Sequence, residues 1–286
     1  MRYRSTVGTL VFMAALSATC AGAFAFDETK YPDWKGQWSR VRFPGVTGQP
    51  SFDQTKSAGA GQQAPLTPEY QAIFEANLKD QAAGGQGIDP TSTCLAPGMP
   101  RIMTAYEPME IVITPDTTHI LMEHIHDSRR IYTDGRSWPE EIEPSFAGYS
   151  IGQWRDQDGT GRYTLLEVET RGFKGPRTYD AAGIPLHQDN QTVIRERIHL
   201  VKGSKDLLDD EITVNDHALT RPWTVTKHYK REPAQRPIWR ESVCAESNSH
   251  VKIGAQDYYL SADGLLMPAK KDQPPPDLRF FSPPRK

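Results

Sequence analysis

The chain has 286 residues, a net charge of −3, 24% charged residues and 37% hydrophobic residues. That is ample chain for a large core. Its mildly acidic balance, with the two signs interspersed, excludes a nucleic-acid binder, which would carry a basic face. No apolar run is long enough to cross a bilayer, so a membrane span is not expected either.

The first element is an export signal. Arg2 and Arg4 precede an apolar run from Val7 to Ala18, and small residues follow to Ala23-Phe24-Ala25. Small side chains three residues and one residue before a bond suit a signal peptidase, so cleavage is expected after Ala25, with a periplasmic or secreted chain starting at Phe26. Cys20 lacks the flanking pattern of a lipoprotein site, because Ser17 and Thr19 stand where an aliphatic and a small residue belong. Cys94 and Cys244 then remain. An oxidising compartment and an even count favour a disulfide between them; two buried thiols are the plain alternative.

Residues 26–65 form an arm rich in Gly, Pro, Gln and Ser, in which Tyr31, Trp34 and Trp38 are expected to anchor the chain to its body and 45–64 to be loop. Thr67-Pro68-Glu69 announces a helix over 68–83, with Thr67 as N-cap and Gly84-Gly85 as the stop. Tyr70, Ile73, Phe74 and Leu78 fall on one helical face.

Alternation takes over beyond the helix. Met109–Thr114, Thr118–Glu123, Arg129–Thr133, Tyr149–Arg155, Tyr163–Thr170, Thr192–Val201, Leu207–Asn215, Thr224–Arg231, Ile238–Cys244 and His250–Leu260 read as strands, and Asp134-Gly135 as a hairpin turn. Many strands with short polar turns and no interleaved helices mean an antiparallel, mainly β fold. The expected architecture is a calycin- or lipocalin-like barrel, or a strongly curved sheet, over 66–266, because closure removes exposed edges. Residues 267–286, with Pro274-Pro275-Pro276, form an extended strap.

Several motifs carry chemistry. Gly148-Tyr-Ser150-Ile-Gly152 matches the serine-hydrolase elbow, but no helix follows it, and a strand serine between two glycines is the better reading. Asp156, Asp158, Thr160 and Glu167 match the spacing of a calcium loop, although Thr160 departs from the usual acid or amide and the flanks read as strands. His124 and His126, two apart on a strand, share a face that could hold zinc, with His187 or His199 as a third ligand. The block Arg129–Arg136 sets Arg130, Tyr132 and Asp134 on one face. Inside a barrel, Arg130 or Arg136 would grip a carboxylate or enolate; on the surface, the arginines would pair with nearby acids. The loops 184–190 and 216–223 each place a histidine, His187 or His217, beside an acid, which is what a general base needs and also what turn caps need.

The segments Pro65–Tyr70, Cys94–Arg101, Arg129–Arg136, Tyr149–Trp154 and Ala218–Thr226, with 167–177 and 267–277, resemble a family of uncharacterised exported bacterial proteins. The likeness covers residues 64–280, and relatives carry a fuller Asp-rich loop where this chain has Thr160. The resemblance implies export and carries no activity or catalytic residue with it.

Together these readings lead to a barrel that binds a small hydrophobic or amphipathic organic molecule, with Tyr132, Trp154, Arg221 and Trp223 as ligand-binding residues. The alternative is a cofactor-independent isomerase, lyase or hydrolase in which His124, His126 or His187 moves a proton while Arg130 or Arg136 steadies negative charge. A third reading is a protein that binds Ca²⁺ or Zn²⁺. No other cofactor is expected.

Overall fold

Apolar and polar residues alternate so regularly from Met109 to Arg231 that each run becomes one strand with one buried face. The burial of Leu207–Asn215, residue by residue, switches between half-exposed and buried along its whole length. The computed structural model describes residues 26–41, 64–104, 107–123, 128–234, 236–240, 244, 250–253, 256–261 and 263–276. The expected signal segment, His124, His126, most of the 45–64 loop and the end of the strap lie outside the described residues.

The strands are β1 (Gln37–Arg40), β2 (Met109–Ile113), β3 (Thr117–Met122), β4 (Ser128–Tyr132), β5 (Tyr149–Arg155), β6 (Leu165–Arg171), β7 (Val193–Leu200), β8 (Leu207–Asn215) and β9 (Trp223–Arg231). They follow one another in sequence order around a closed barrel. β1 completes it, pairing with β2 through Trp38↔Met109 and with β9 through Trp38↔Arg231. It lies in the segment read from sequence as an arm. Trp34 and Trp38 anchor it as expected, both fully buried, with the Trp38 indole N–H donating to the Trp34 carbonyl at 2.9 Å.

Two features depart from the expected meander. Asp134-Gly135 does not close a hairpin: β4 ends at Tyr132, the chain runs on to Gly148, and β5 returns parallel to β4 through Ile131↔Ser150 and Tyr132↔Ile151. The Asp134 carboxylate instead turns the chain locally by accepting the Arg136 N–H at 3.1 Å. The expected strand from Ile238 is also absent over the described residues 238–240, and 250–260 is two strands, not one. β10 (His250–Ile253), β11 (Gln256–Leu260) and β12 (Leu266–Pro268) form a separate three-stranded sheet.

The helix α1 (Pro68–Ala82) starts at Thr67, whose side chain accepts the Tyr70 N–H. Its buried residues are Phe74 and Asn77, while Ile73 is 40% exposed, so the buried face is turned from the expected stripe. Asn77 sets that turn. Its amide donates to the Ala182 carbonyl at 2.8 Å and accepts the Ile88 N–H at 2.9 Å, docking the helix on the 177–186 loop. No described helix is long and apolar enough to cross a membrane.

Cys94 and Cys244 are joined by a disulfide spanning 150 residues of sequence, which links the segment before β2 to the C-terminal region. A cross-link over so long a loop restricts the unfolded chain strongly. Replacing both cysteines by serine is expected to lower the unfolding free energy by about 3–5 kcal/mol. Urea unfolding of the two forms checks this, and coincident midpoints would contradict it.

Candidate functional site

The barrel register brings polar side chains from six successive strands to one level of the interior. Ser150 on β5 stands opposite Thr170 on β6, and Asp210 on β8 opposite Lys227 on β9. Glu196 on β7 faces Ile212 and so lies diagonal to Asp210, which faces Ile198. Arg129 on β4 reaches across to this row. Its Nη1 donates to Glu196 Oε1 at 2.7 Å, and its Nη2 donates to Glu196 Oε2 and, at 2.9 Å, to Thr170 Oγ1. Ser150 and Thr170 share a hydroxyl hydrogen bond of 2.8 Å. All of these groups are buried, Asp210 completely.

The charge states follow from that burial. Desolvation first, and then the adjacent Glu196 carboxylate, push the Asp210 pKa well above the usual carboxylate range. Its two oxygens have no hydrogen-bond partner among the described residues. Lys227 moves the opposite way: burial, helped by Arg40, pulls its pKa down to about 7, against the pull of Asp180 and Asp210. Its ammonium nitrogen lies 5.2 Å from the Tyr179 ring centre. The buried turn Arg101–Thr104 and Tyr179 pack onto this belt. The Tyr229 hydroxyl donates to the Met103 carbonyl, and Tyr179 stacks on Trp223 at 4.5 Å. Side chains thus occupy the polar level of the barrel.

A second cluster is open to solvent. The 184–190 loop and the β8–β9 connection bring together His187, Asp189 and His217. Asp189 Oδ2 lies 2.9 Å from His217 Nδ1 and 3.6 Å from His187 Nε2. Tyr70 of α1 hydrogen-bonds His187 Nδ1. Below them the buried Arg177 donates to the carbonyls of His187 and Asp189 and, at 2.8 Å, to Thr192 Oγ1. Asp216 accepts the backbone N–H groups of His187 at 2.9 Å and Ala218 at 2.8 Å. Sequence reading singled out both loops; their meeting at Asp189 is a tertiary fact.

The other expected site residues are spread over the molecule. Arg130 points outward from β4, and its inward neighbour Arg129 takes the interior place. Arg136 pairs with Asp134 on the surface, reaches the Tyr149 hydroxyl at 3.4 Å and lies 3.7 Å above the Tyr132 ring. Tyr132 therefore belongs to an outer aromatic patch. Arg221 is exposed and bonds only the Pro222 carbonyl at 3.4 Å among the described residues. Trp223 is buried against Tyr179, and Trp154 packs at 5.0 Å on Trp34. Asp156 spends its carboxylate on the N–H groups of Gly159 and Gly161, and Thr160 bonds Asp158. Glu167 turns away from this loop to pair with Arg155 and Arg197, so the four residues spaced for calcium do not converge. Ser150 faces the interior with its hydroxyl held by Thr170, and β5 leads through a turn straight into β6 with no helix between them. The flanking glycines have packing reasons: a Cβ at Gly152 would lie 2.6 Å from Ile131, and one at Gly148, where φ is +72°, 2.6 Å from Phe173. His199 hydrogen-bonds Glu211 at 3.4 Å, away from the histidine cluster.

The third feature is a half-open groove of about 490 Å³ where the N-terminal arm crosses β2. Phe26, Tyr31, Trp34 and Ile111–Ile113 supply its apolar lining, and Glu28, Asp33, Lys35, Glu110 and Arg162 its charged groups. The Trp34 indole N–H is buried and has no acceptor among the described residues. No protein-family model matches this chain, and no curated protein matches it.

Two outcomes follow from the belt. Arg129→Ala leaves the Glu196 carboxyl buried without its cation, and is expected to cost about 3–5 kcal/mol of stability, read by urea unfolding. Because Lys227 titrates near 7 when folded and at 10.5 when free, the folded state holds fewer protons than the unfolded state between those values. Lys227 therefore makes stability rise with pH across that window and fall as pH drops towards 7. Lys227→Met is expected to flatten this part of the stability–pH profile; an unchanged slope would show that Lys227 is solvated.

Proposed function

We propose that the protein binds a small amphipathic organic molecule, and that it does so in the groove between the N-terminal arm and β2 and not within the barrel. The observation that carries this reading is the groove's combination of size and lining. About 490 Å³ is within the range of small-ligand sites, and its walls are mainly aromatic and aliphatic. A guest's apolar body would lie against Tyr31 and the exposed Val112, with its polar end at the charged groups of the rim. The barrel interior is the weaker candidate because Arg129 and Glu196 pair with each other and buried side chains, Asp210 and Lys227 among them, occupy its polar level.

Stacking fixes the floor of the groove. Tyr31 packs edge-on to Trp154 at 5.3 Å and against Tyr163 at 5.0 Å, and Trp34 packs on Trp154. Trp154 would then support the ligand from behind. The same reading places the protein outside the cytoplasm, in the periplasm or beyond. The basic, apolar and small-residue order of residues 1–25 and the Cys94–Cys244 disulfide support that placement.

The test uses the uncharged dye N-phenylnaphthylamine. Saturable binding of one dye per chain is expected, with quenching of tryptophan fluorescence. Val112→Asp puts a charge on an exposed groove position and is expected to weaken binding about tenfold, equivalent to about 1.4 kcal/mol. Absence of saturable binding, or equal affinity in the variant, would overturn the proposal.

A further inference from the structure

We propose that His187, Asp189 and His217 form a binding site for a divalent transition metal, with Zn²⁺ as the ion the donor set fits best. The site is independent of the groove. Two imidazoles and one carboxylate are the borderline nitrogen and oxygen donors that zinc takes, whereas Ca²⁺ and Mg²⁺ require mostly oxygen. The three donor atoms lie within 4.8 Å of one another. Zinc held at about 2.0–2.2 Å from each donor needs them about 3.3–3.5 Å apart, so closure takes shifts of an ångström or so. The His217 ring, 61% exposed, can make them while His187 stays in place.

The surroundings prepare this geometry. With a metal at Nε2, on the Asp189 side, His187 Nδ1–H would donate to the Tyr70 hydroxyl oxygen beside it. Metal-bound histidines are held through their second nitrogen in this way, which fixes both tautomer and ring orientation. The backbone beneath is fastened from both loops: Arg177 grips the His187 and Asp189 carbonyls, and Asp216 grips the His187 and Ala218 N–H groups. The charges of Arg177 and Asp216 offset each other and leave the Asp189 carboxylate to face the cation. Three protein ligands on an exposed rim leave the fourth tetrahedral position to water or to an anionic group of a small molecule, the arrangement of zinc sites that exchange ligands.

The test is calorimetric titration of the full chain, stripped with a chelator, with Zn²⁺, supported by Co²⁺ titration read by visible absorption. One Zn²⁺ per chain and tetrahedral Co²⁺ bands are expected. His217→Ala and Asp189→Asn should each weaken Zn²⁺ about a hundredfold or more, and Tyr70→Phe, which removes only the orienting hydroxyl, about tenfold. His199→Ala should change nothing. His217 lies on the surface, so its variant separates loss of a ligand from loss of the fold. Three results would overturn the proposal: no uptake by the wild type, uptake that survives His217→Ala and Asp189→Asn, or uptake that disappears only when His124 and His126 are replaced.

Discussion

The ion pair between Arg129 and Glu196 is the constraint around which the barrel is arranged. Both side chains are essentially inaccessible to solvent, so each would be costly to bury alone. The guanidinium meets both carboxylate oxygens and has a further N–H for Thr170, and this satisfaction makes the burial tolerable. A pair of this kind specifies geometry more than it adds net stability. A slip of one residue in β4 would put Arg130 in the inward place of Arg129 but turn the fully buried Ile131 out to solvent, so the arginine and its apolar neighbour together fix the register of β4. The raised pKa of Asp210 is a consequence. With the single Glu196 charge already balanced, a second carboxylate at that depth keeps its proton.

This arrangement divides the molecule. The interior holds its charges in balanced, hydrogen-bonded form, and Tyr179, Tyr229 and the Arg101–Thr104 turn pack against it. The groups free to meet other molecules lie at the edges: the aromatic groove under the N-terminal arm, and the histidine cluster where α1 meets two barrel loops. The two edges are built differently. Ring stacking around Trp154 shapes the groove, while the cluster depends on a buried arginine and a buried-facing aspartate that tie loop backbones in place. Asn77 matters to the second edge, because its bonds to the 177–186 loop set the rotation of α1 and so bring Tyr70 to His187.

Much of the fold is legible because period-two alternation is a local property. The bounds of β5 and β8 follow from residue order alone, as does the helix start at Thr67. β1 is not legible: four residues, Gln37–Arg40, in a segment rich in glycine and polar residues gain their strand only from β2 and β9. The parallel return of β5 is likewise hidden, since Asp134-Gly135 makes a local turn whose sequence is the same as that of a hairpin. The belt carried a signal that went unused. Ile194-x-Glu196-x-Ile198, Leu208-x-Asp210-x-Ile212 and Val225-x-Lys227-x-Tyr229 each set a charge on the same face as two apolar neighbours, and Arg129 shares its face with Ile131. A charge so flanked on a strand points into the core. The convergence of His187, Asp189 and His217 had no such signal, because two loops 28 residues apart meet only through the barrel.

The account rests on a filled, charge-balanced interior, and the ionisation of Asp210 reports on it most directly. Carbon-detected NMR of the side-chain carboxyls across an acid-to-neutral pH series measures it. A filled interior predicts that Asp210 keeps the chemical shift of a protonated acid well above the ordinary aspartate range. If Asp210 instead titrated near the ordinary aspartate value of 3.8, water would be reaching the belt, and the barrel would be an open chamber.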